Sequence, residues 1–232
     1  MINYRLKINQ LLFPQACMLC AAPAGGELAL CPDCLQDLPW QTSSACPQCG
    51  LPSHDSQLCG NCLKSTPAFD RTRALFNYAY PLAQILQRYK YRQALHIAQS
   101  FSTLMLQRFY GISGFDRIIP MPLHPRRLAE RGFNQSLEIA RLLNKQLHGT
   151  LDTASCQRIR FSPPQASLPL KARVKNMRGA FRCEQRLDGQ RVLLIDDVMT
   201  TGASLHALAA TVKAAGASHV ECWVVARTQA KG

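Results

Sequence analysis

Apolar positions follow two regimes along the chain. In the first 66 residues no helical or strand period is sustained, whereas beyond Phe69 amphipathic stretches alternate with short apolar runs. Residues 73–79 alternate and predict a strand. Residues 81–92 and 94–109 predict helices, the second with Leu95, Ala98, Phe101, Met105 and Phe109 along one face. A short buried strand is expected at 118–121, closed by Pro120 and Pro122, then a helix over 134–147 carrying Leu137, Ala140 and Leu147 on one side, and a further strand at 159–161. Residues 191–197 read as a strand, 203–215 as a helix stopped at Gly216, and 220–226 as a last strand. Strands alternating with helices place the chain in the α/β class, a mostly parallel sheet flanked by helices. Ligands of such sheets lie beyond the carboxyl ends of the strands.

The change of regime at Ser65, Thr66 and Pro67 predicts a boundary, with one unit over 1–66 and another over 67–232. Eight of the 11 cysteines fall in the first unit as four C-x-x-C pairs. A spacer of two residues lets both sulfurs of a turn face one ion. Ten residues separate Cys20 from Cys31, eleven separate Cys34 from Cys46, and nine separate Cys49 from Cys59. This near repetition favours two structural Zn2+ sites in series, Cys17, Cys20, Cys31 and Cys34, then Cys46, Cys49, Cys59 and Cys62. Crossed pairing, iron–sulfur ligation and redox use of the pairs are the alternatives; His54 could replace one ligand, but with eight thiols available it is read as a surface residue. Cys156, Cys183 and Cys222 lie outside the pattern and are expected to be reduced, packed thiols.

Charge adds a class of partner rather than a fold. The 27 Lys and Arg outnumber the 14 Asp and Glu, giving a net charge of +13, which favours polyanions or simply keeps the protein soluble. Aromatic residues are 7% of the chain, and no stacking platform for nucleic acid stands out. No apolar run is long enough to span a bilayer, and Arg5, Lys7 and Asn9 stand where a signal peptide would need an apolar core, so a cytoplasmic location is expected. Residues 2–13 suit a short amphipathic helix resting on the body of the protein or on a membrane, and packing is favoured for so short a piece.

The most informative junction follows Val192, Leu193, Leu194 and Ile195, an uninterrupted apolar run suited to a central strand. Asp196 and Asp197 emerge where that strand leaves the core, and Thr200, Thr201, Gly202, Ala203 and Ser204 lead into a helix. Free amides and the positive helix end attract a phosphate, the hydroxyls donate to its oxygens, and glycine permits close approach. The two acids suit vicinal sugar hydroxyls and a nearby magnesium ion. A sugar phosphate matches both halves; simple helix capping would not need all of them. The chain has no G-x-x-x-x-G-K-[ST], which excludes a P-loop partner for the acidic strand. Arg126, Arg127 and Arg131 follow one strand and precede a helix, where guanidinium forks suit a diphosphate. Asn134 stands where it would cap that helix. Residues 162–180 carry Gln165, Lys171, Arg173, Lys175 and Arg178 with little periodicity and read as a basic loop able to close over a diphosphate.

The stretch VLLIDDVMTTGAS resembles the phosphoribosyl-pyrophosphate (PRPP) signature of type I phosphoribosyltransferases. The wider chain is similar to the ComF/GntX family of competence and DNA-utilisation proteins. That similarity spans nearly the whole length, through the cysteine-rich head, Lys90, Tyr91 and Arg92, the segment PMPLHPRRLAERGFNQS and the segment RVKNMRGAF. It implies a type I phosphoribosyltransferase fold behind a small N-terminal double zinc-ribbon domain. It also implies Asp196 and Asp197 as the catalytic pair on the ribose hydroxyls, Thr200, Thr201, Gly202, Ala203 and Ser204 around the 5-phosphate, and the loop after the 118–121 strand on pyrophosphate. Lys171 and Arg173 would come from the lid, and Mg2+ would accompany PRPP. A role in uptake or utilisation of external DNA follows from the resemblance, with single-stranded DNA and DNA-uptake machinery as partners, in the cytoplasm or at the inner face of the membrane. No segment reads as a base-binding hood. A transferase acting on an unidentified small acceptor, and a non-catalytic nucleic-acid adaptor, therefore stay open beside it.

Overall fold

The computed structural model describes residues 16–24, 28–41, 44–91, 95–161, 177 and 179–229. The expected helix at 2–13 and nearly all of the expected lid lie outside the described residues. The strands are β1 (Arg71–Asn77), β2 (Arg117–Pro120), β3 (Thr150–Leu151), β4 (Cys156–Arg158), β5 (Phe181–Cys183), β6 (Arg191–Met199) and β7 (His219–Arg227). The helices are α1 (Pro32–Gln36), α2 (Gly60–Lys64), α3 (Leu82–Tyr91), α4 (Leu95–Arg108), α5 (Pro125–Arg131), α6 (Gln135–Leu147) and α7 (Ala203–Ala214). Five strands form one sheet in the order β1-β7-β6-β2-β3, and every pairing in it is parallel.

The period of two sorts the central strands between two cores. Leu193 and Ile195 of β6, with Trp223 and Val225 of β7, pack against Ile85 and Leu86 of α3, Phe101 and Met105 of α4, and Ile139 and Leu143 of α6. Val192 and Leu194, with Cys222 and Val224, face Leu205, Leu208 and Val212 of α7. The continuous apolar run of β6 thus reflects burial on both faces. Removing a fully buried side chain from this layer, such as Leu194→Ala, would cost about 2–5 kcal/mol.

Two expectations need correction. The strand expected at 159–161 lies at Cys156–Arg158, antiparallel to β5 in a separate pair. Burial of Cys156 and Phe181 sets that register, while Ile159 and Phe161 are 53% and 39% exposed. Arg126, Arg127 and Arg131 are not in a loop; they occupy α5, which Pro125 opens at its first turn and Gly132 closes in the left-handed region at φ 76. Among the described residues β3 is an edge strand that the pattern did not announce.

The cysteine-rich head is built twice. Ala16 bridges Pro23 as Ala45 bridges Pro52, and Cys17 N donates to Ala22 O as Cys46 N donates to Leu51 O, each at 2.7 Å. Cys31 and Cys59 then stand at the N-caps of α1 and α2, which carry Cys34 and Cys62. The first ribbon joins the main core through Leu30 and Leu38, with the Trp40 and Phe76 rings 4.6 Å apart. The second sits on the start of β1, where Thr72 N donates to Pro47 O at 3.0 Å and Thr72 Oγ1 to Gln48 O at 2.7 Å. No helix among the described residues is long and apolar enough to cross a membrane.

Candidate functional site

The acid pair stands on β6 close to its carboxyl end. Asp196 Oδ1 accepts from Ser136 Oγ at 3.1 Å and from the Asp197 amide at 2.9 Å. Burial first, and then the neighbouring charge of Asp197, push the Asp196 carboxyl up to about 8. Asp197 Oδ1 accepts from the Val198 amide at 2.7 Å. Among the described residues its Oδ2 is buried without a hydrogen-bond donor, although Lys90 Nζ lies 3.5 Å away as an ion-pair partner. A buried acceptor left open beside a cation suits a ligand hydroxyl or a second cation.

The turn after β6 is shaped by Gly202, the N-cap of α7, at φ 79. A Cβ there would lie 2.7 Å from Met199 Cε. Thr201 Oγ1 accepts from the Ala203 amide at 3.3 Å, and Ser204 Oγ lies 3.8 Å from Met177 Sδ. Asp196 and residues 198–205 enclose a small cavity of about 40 Å³ between them. The helix N-terminus, the hydroxyls and Asp196 therefore meet around this cavity.

Behind the turn lies Arg227, the last residue of β7, 4% exposed. Its Nε donates to Cys49 O at 2.8 Å, and its Nη1 donates to Met199 O at 3.0 Å, to Thr200 O and to Thr228 O at 2.9 Å.

A second basic wall stands beyond β2. His124 caps α5, its Nδ1 accepting from the Arg126 amide at 3.3 Å. The guanidiniums of Arg126 and Arg127 lie 5.5 and 5.7 Å from the Phe161 ring centroid, close enough for cation–π contact. Arg131 Nη1 donates to Gln135 Oε1 at 3.2 Å. Arg158 on β4 belongs with them: burial draws its pKa down, the nearby Arg127 and Arg131 draw it further, and Asp196 opposes. Among the described residues its Nε is buried without a partner. A cavity of about 460 Å³ lined by Pro122, Leu128, Asn134, Cys156 and Arg158 opens beside this wall. Asn134 caps α6, its Oδ1 accepting from the Ser136 and Leu137 amides, and its Nδ2 donates to Met121 O at 3.0 Å.

Lys171 and Arg173 lie outside the described residues. Four residues of the site carried no expectation of their own: Lys90, Ser136, Arg158 and Arg227. Ser136 had a local signal, two positions beyond a capping asparagine. The others are brought in by tertiary pairing.

In the head, the thiols gather in series rather than crosswise. Cys17, Cys20, Cys31 and Cys34 form one group and Cys46, Cys49, Cys59 and Cys62 the other, all ligand atoms of a group within 4.8 Å of one another. Sulfurs around a tetrahedral zinc at about 2.3 Å stand roughly 3.8 Å apart. The Cys20–Cys31 and Cys49–Cys59 separations of 3.6 Å fit that geometry. Burial raises the Cys17 and Cys46 thiols, but backbone amides outweigh it and draw them down to about 6 and about 7. Four thiols per ion leave no open position for water, so these centres are structural. Cys156, Cys183 and Cys222 are free thiols, two of them buried.

Residues 8–63 match the double zinc ribbon domain, and residues 135–232 match the phosphoribosyl transferase domain. The chain is 35% identical over 226 residues to "DNA utilization protein YhgH" of Shigella flexneri, covering 94% of this chain and 99% of that one. It is 30% identical to "Competence protein F" of Haemophilus influenzae, covering 85% and 90%. Its identity to "Competence protein ComFC" of Bacillus subtilis is 27%, covering 76% and 75%.

Proposed function

Because the chain belongs to the ComF/GntX family, with a double zinc ribbon and a phosphoribosyltransferase domain, we propose that it binds PRPP with magnesium and acts in the uptake or utilisation of DNA. In this reading residues 1–66 form the ribbon unit and residues 67–232 the PRPP-binding unit, and the protein works in the cytoplasm. The observation that carries it is the meeting of Asp196 with the threonine–glycine turn around one small cavity, with Asp197 donating its amide to the Asp196 carboxylate beside it.

The turn at residues 200–204 takes the 5-phosphate on its amides and hydroxyls. Asp196 and Asp197 accept the ribose hydroxyls, and the open Asp197 Oδ2 is the acceptor with most to gain. The diphosphate then falls toward Arg127, Arg131 and Arg158, with Arg126, Lys171 and Arg173 adding charge around it. Asp196 and Asp197 would help to hold a magnesium ion brought with PRPP, which would supply charge neutralisation. If pentosyl transfer occurs here, an acceptor lone pair bonds to the anomeric carbon as the carbon–oxygen bond to pyrophosphate breaks, its electron pair leaving on pyrophosphate. The arginines stabilise that leaving charge.

The DNA role rests on the relatives' names and agrees with the net charge of +13. Single-stranded DNA and the proteins of the uptake machinery are the partners this reading implies. Calorimetric titration with PRPP and magnesium tests the site. Asp196→Ala and Asp197→Ala should each abolish binding while leaving zinc content at two ions per chain; unaltered affinity in both would refute the assignment. Titration with single-stranded DNA, with and without PRPP, then tests whether the two ligands are coupled.

A further inference from the structure

Arg227 spans two sites that sequence places far apart. Its guanidinium donates to the carbonyl of Cys49, a member of the second thiol tetrad, and to those of Met199 and Thr200, which open the phosphate turn. The packing around it is close. A Cβ on Gly50, at φ 68, would stand 3.4 Å from Thr72 Cγ2 and 3.9 Å from Arg227 Cδ. Cys49, Thr66, Phe69, Met199, Gly202 and His206 line a cavity of about 170 Å³ where the ribbon meets the turn. Among the described residues the first ribbon packs mainly on the other core, its Trp40 and Leu38 against Phe76 and its neighbours, and it reaches the second ribbon where Gln41 Nε2 donates to Gly50 O at 2.8 Å.

Resting on the reading of residues 200–204 as the phosphate turn, we propose that Arg227 is a positioning residue that couples this turn to the metal in the second ribbon. In a planar trans peptide the N–H points opposite to the C=O. Drawing the Met199 and Thr200 carbonyls onto the guanidinium therefore turns the Thr200 and Thr201 amides away from it, free for an anion. The guanidinium is held in turn by Cys49 O, whose position is fixed when four thiolates close around one ion. Loss of that ion releases Cys49, then Arg227, then the orientation of the turn. By linkage, a phosphate ligand on the turn must tighten metal in the second ribbon by the same factor, and leave the first ribbon untouched.

The test uses the full-length zinc-loaded protein and ribose 5-phosphate as probe. Zinc release to a chromophoric chelator is followed with and without saturating ribose 5-phosphate, as established by calorimetry. Cys20→Ser identifies the first-ribbon phase by removing it. The expected result is about tenfold slower release from the second ribbon, no change in the first, and loss of the protection in Arg227→Lys, whose single head cannot serve both sides. Should Arg227→Lys fail to fold, the wild-type comparison decides alone. Binding without protection, or equal protection of both ribbons, overturns the inference and spares the site. No binding of ribose 5-phosphate overturns both.

Discussion

Lys90 Nζ stands 3.5 Å from Asp197 Oδ2, so the last turn of α3 supplies the cation that faces the acid pair of β6. The side chains are 27% and 13% exposed. The pair is thus partly desolvated, and loss of the lysine leaves a carboxylate with no counter-charge. Lys90→Met should destabilise the ligand-free protein by about 1–2 kcal/mol, less than a fully buried pair would lose. Urea denaturation measures this; an unchanged midpoint would mean that the contact is not made in solution.

The Asp196 carboxyl, raised to about 8, should make stability depend on pH in a defined direction. Its folded pKa lies above the unfolded value of 3.8, so between about 4 and 8 the unfolded state binds fewer protons and stability falls as pH rises. Asparagine cannot ionise. Without magnesium or PRPP, Asp196→Asn should therefore melt higher than the parent protein at pH 8, by about 3 °C or more, and the gap should shrink at pH 5. A gap that widens toward acid would reverse the assigned shift. PRPP binding should be lost in the same variant.

Gly202→Ala should separate binding from folding. The left-handed φ of 79 costs a non-glycine residue roughly 1–2 kcal/mol, and the neighbouring Met199 Cε is the far end of a flexible side chain able to shift. The variant should stay folded with a modest loss of stability, yet bind PRPP at least tenfold more weakly, because the displaced methionine and altered turn spoil the anion cradle. Equal affinity by calorimetry would show that the turn does not hold the phosphate.

Zinc removal should be visible from Trp40. Its ring lies against Phe76 of β1 and its Nε1 donates to Leu35 O at 3.0 Å, at the seam between the first ribbon and the sheet. Excess chelator should release two zinc ions per chain and shift tryptophan emission to the red, while Trp223, fully buried in the sheet, reports little change. One ion per chain, or an unmoved spectrum, would contradict a double ribbon docked in this way.

Much of this was legible before the structure. An apolar run of four residues ending in two acids states both a central strand and its carboxyl end, and the cysteine spacing states the serial grouping that the thiol positions bear out. What escaped depends on partners distant in sequence. Lys90 meets Asp197 and Arg227 meets Cys49; no local period encodes either pairing. Helix α5 escaped for another reason: seven residues, four of them charged, show no apolar face, and its cap is a histidine. The strand expected at 159–161 was misplaced because Ile159 and Phe161 look like core residues, while Cys156 is the residue actually buried.

The most direct measurement is the position of the ligand itself. Crystals soaked in PRPP and magnesium should show the 5-phosphate against the amides and hydroxyls of residues 200–204 and the ribose hydroxyls on Asp196 and Asp197. Density for the sugar phosphate elsewhere, with that turn empty, would contradict the assignment.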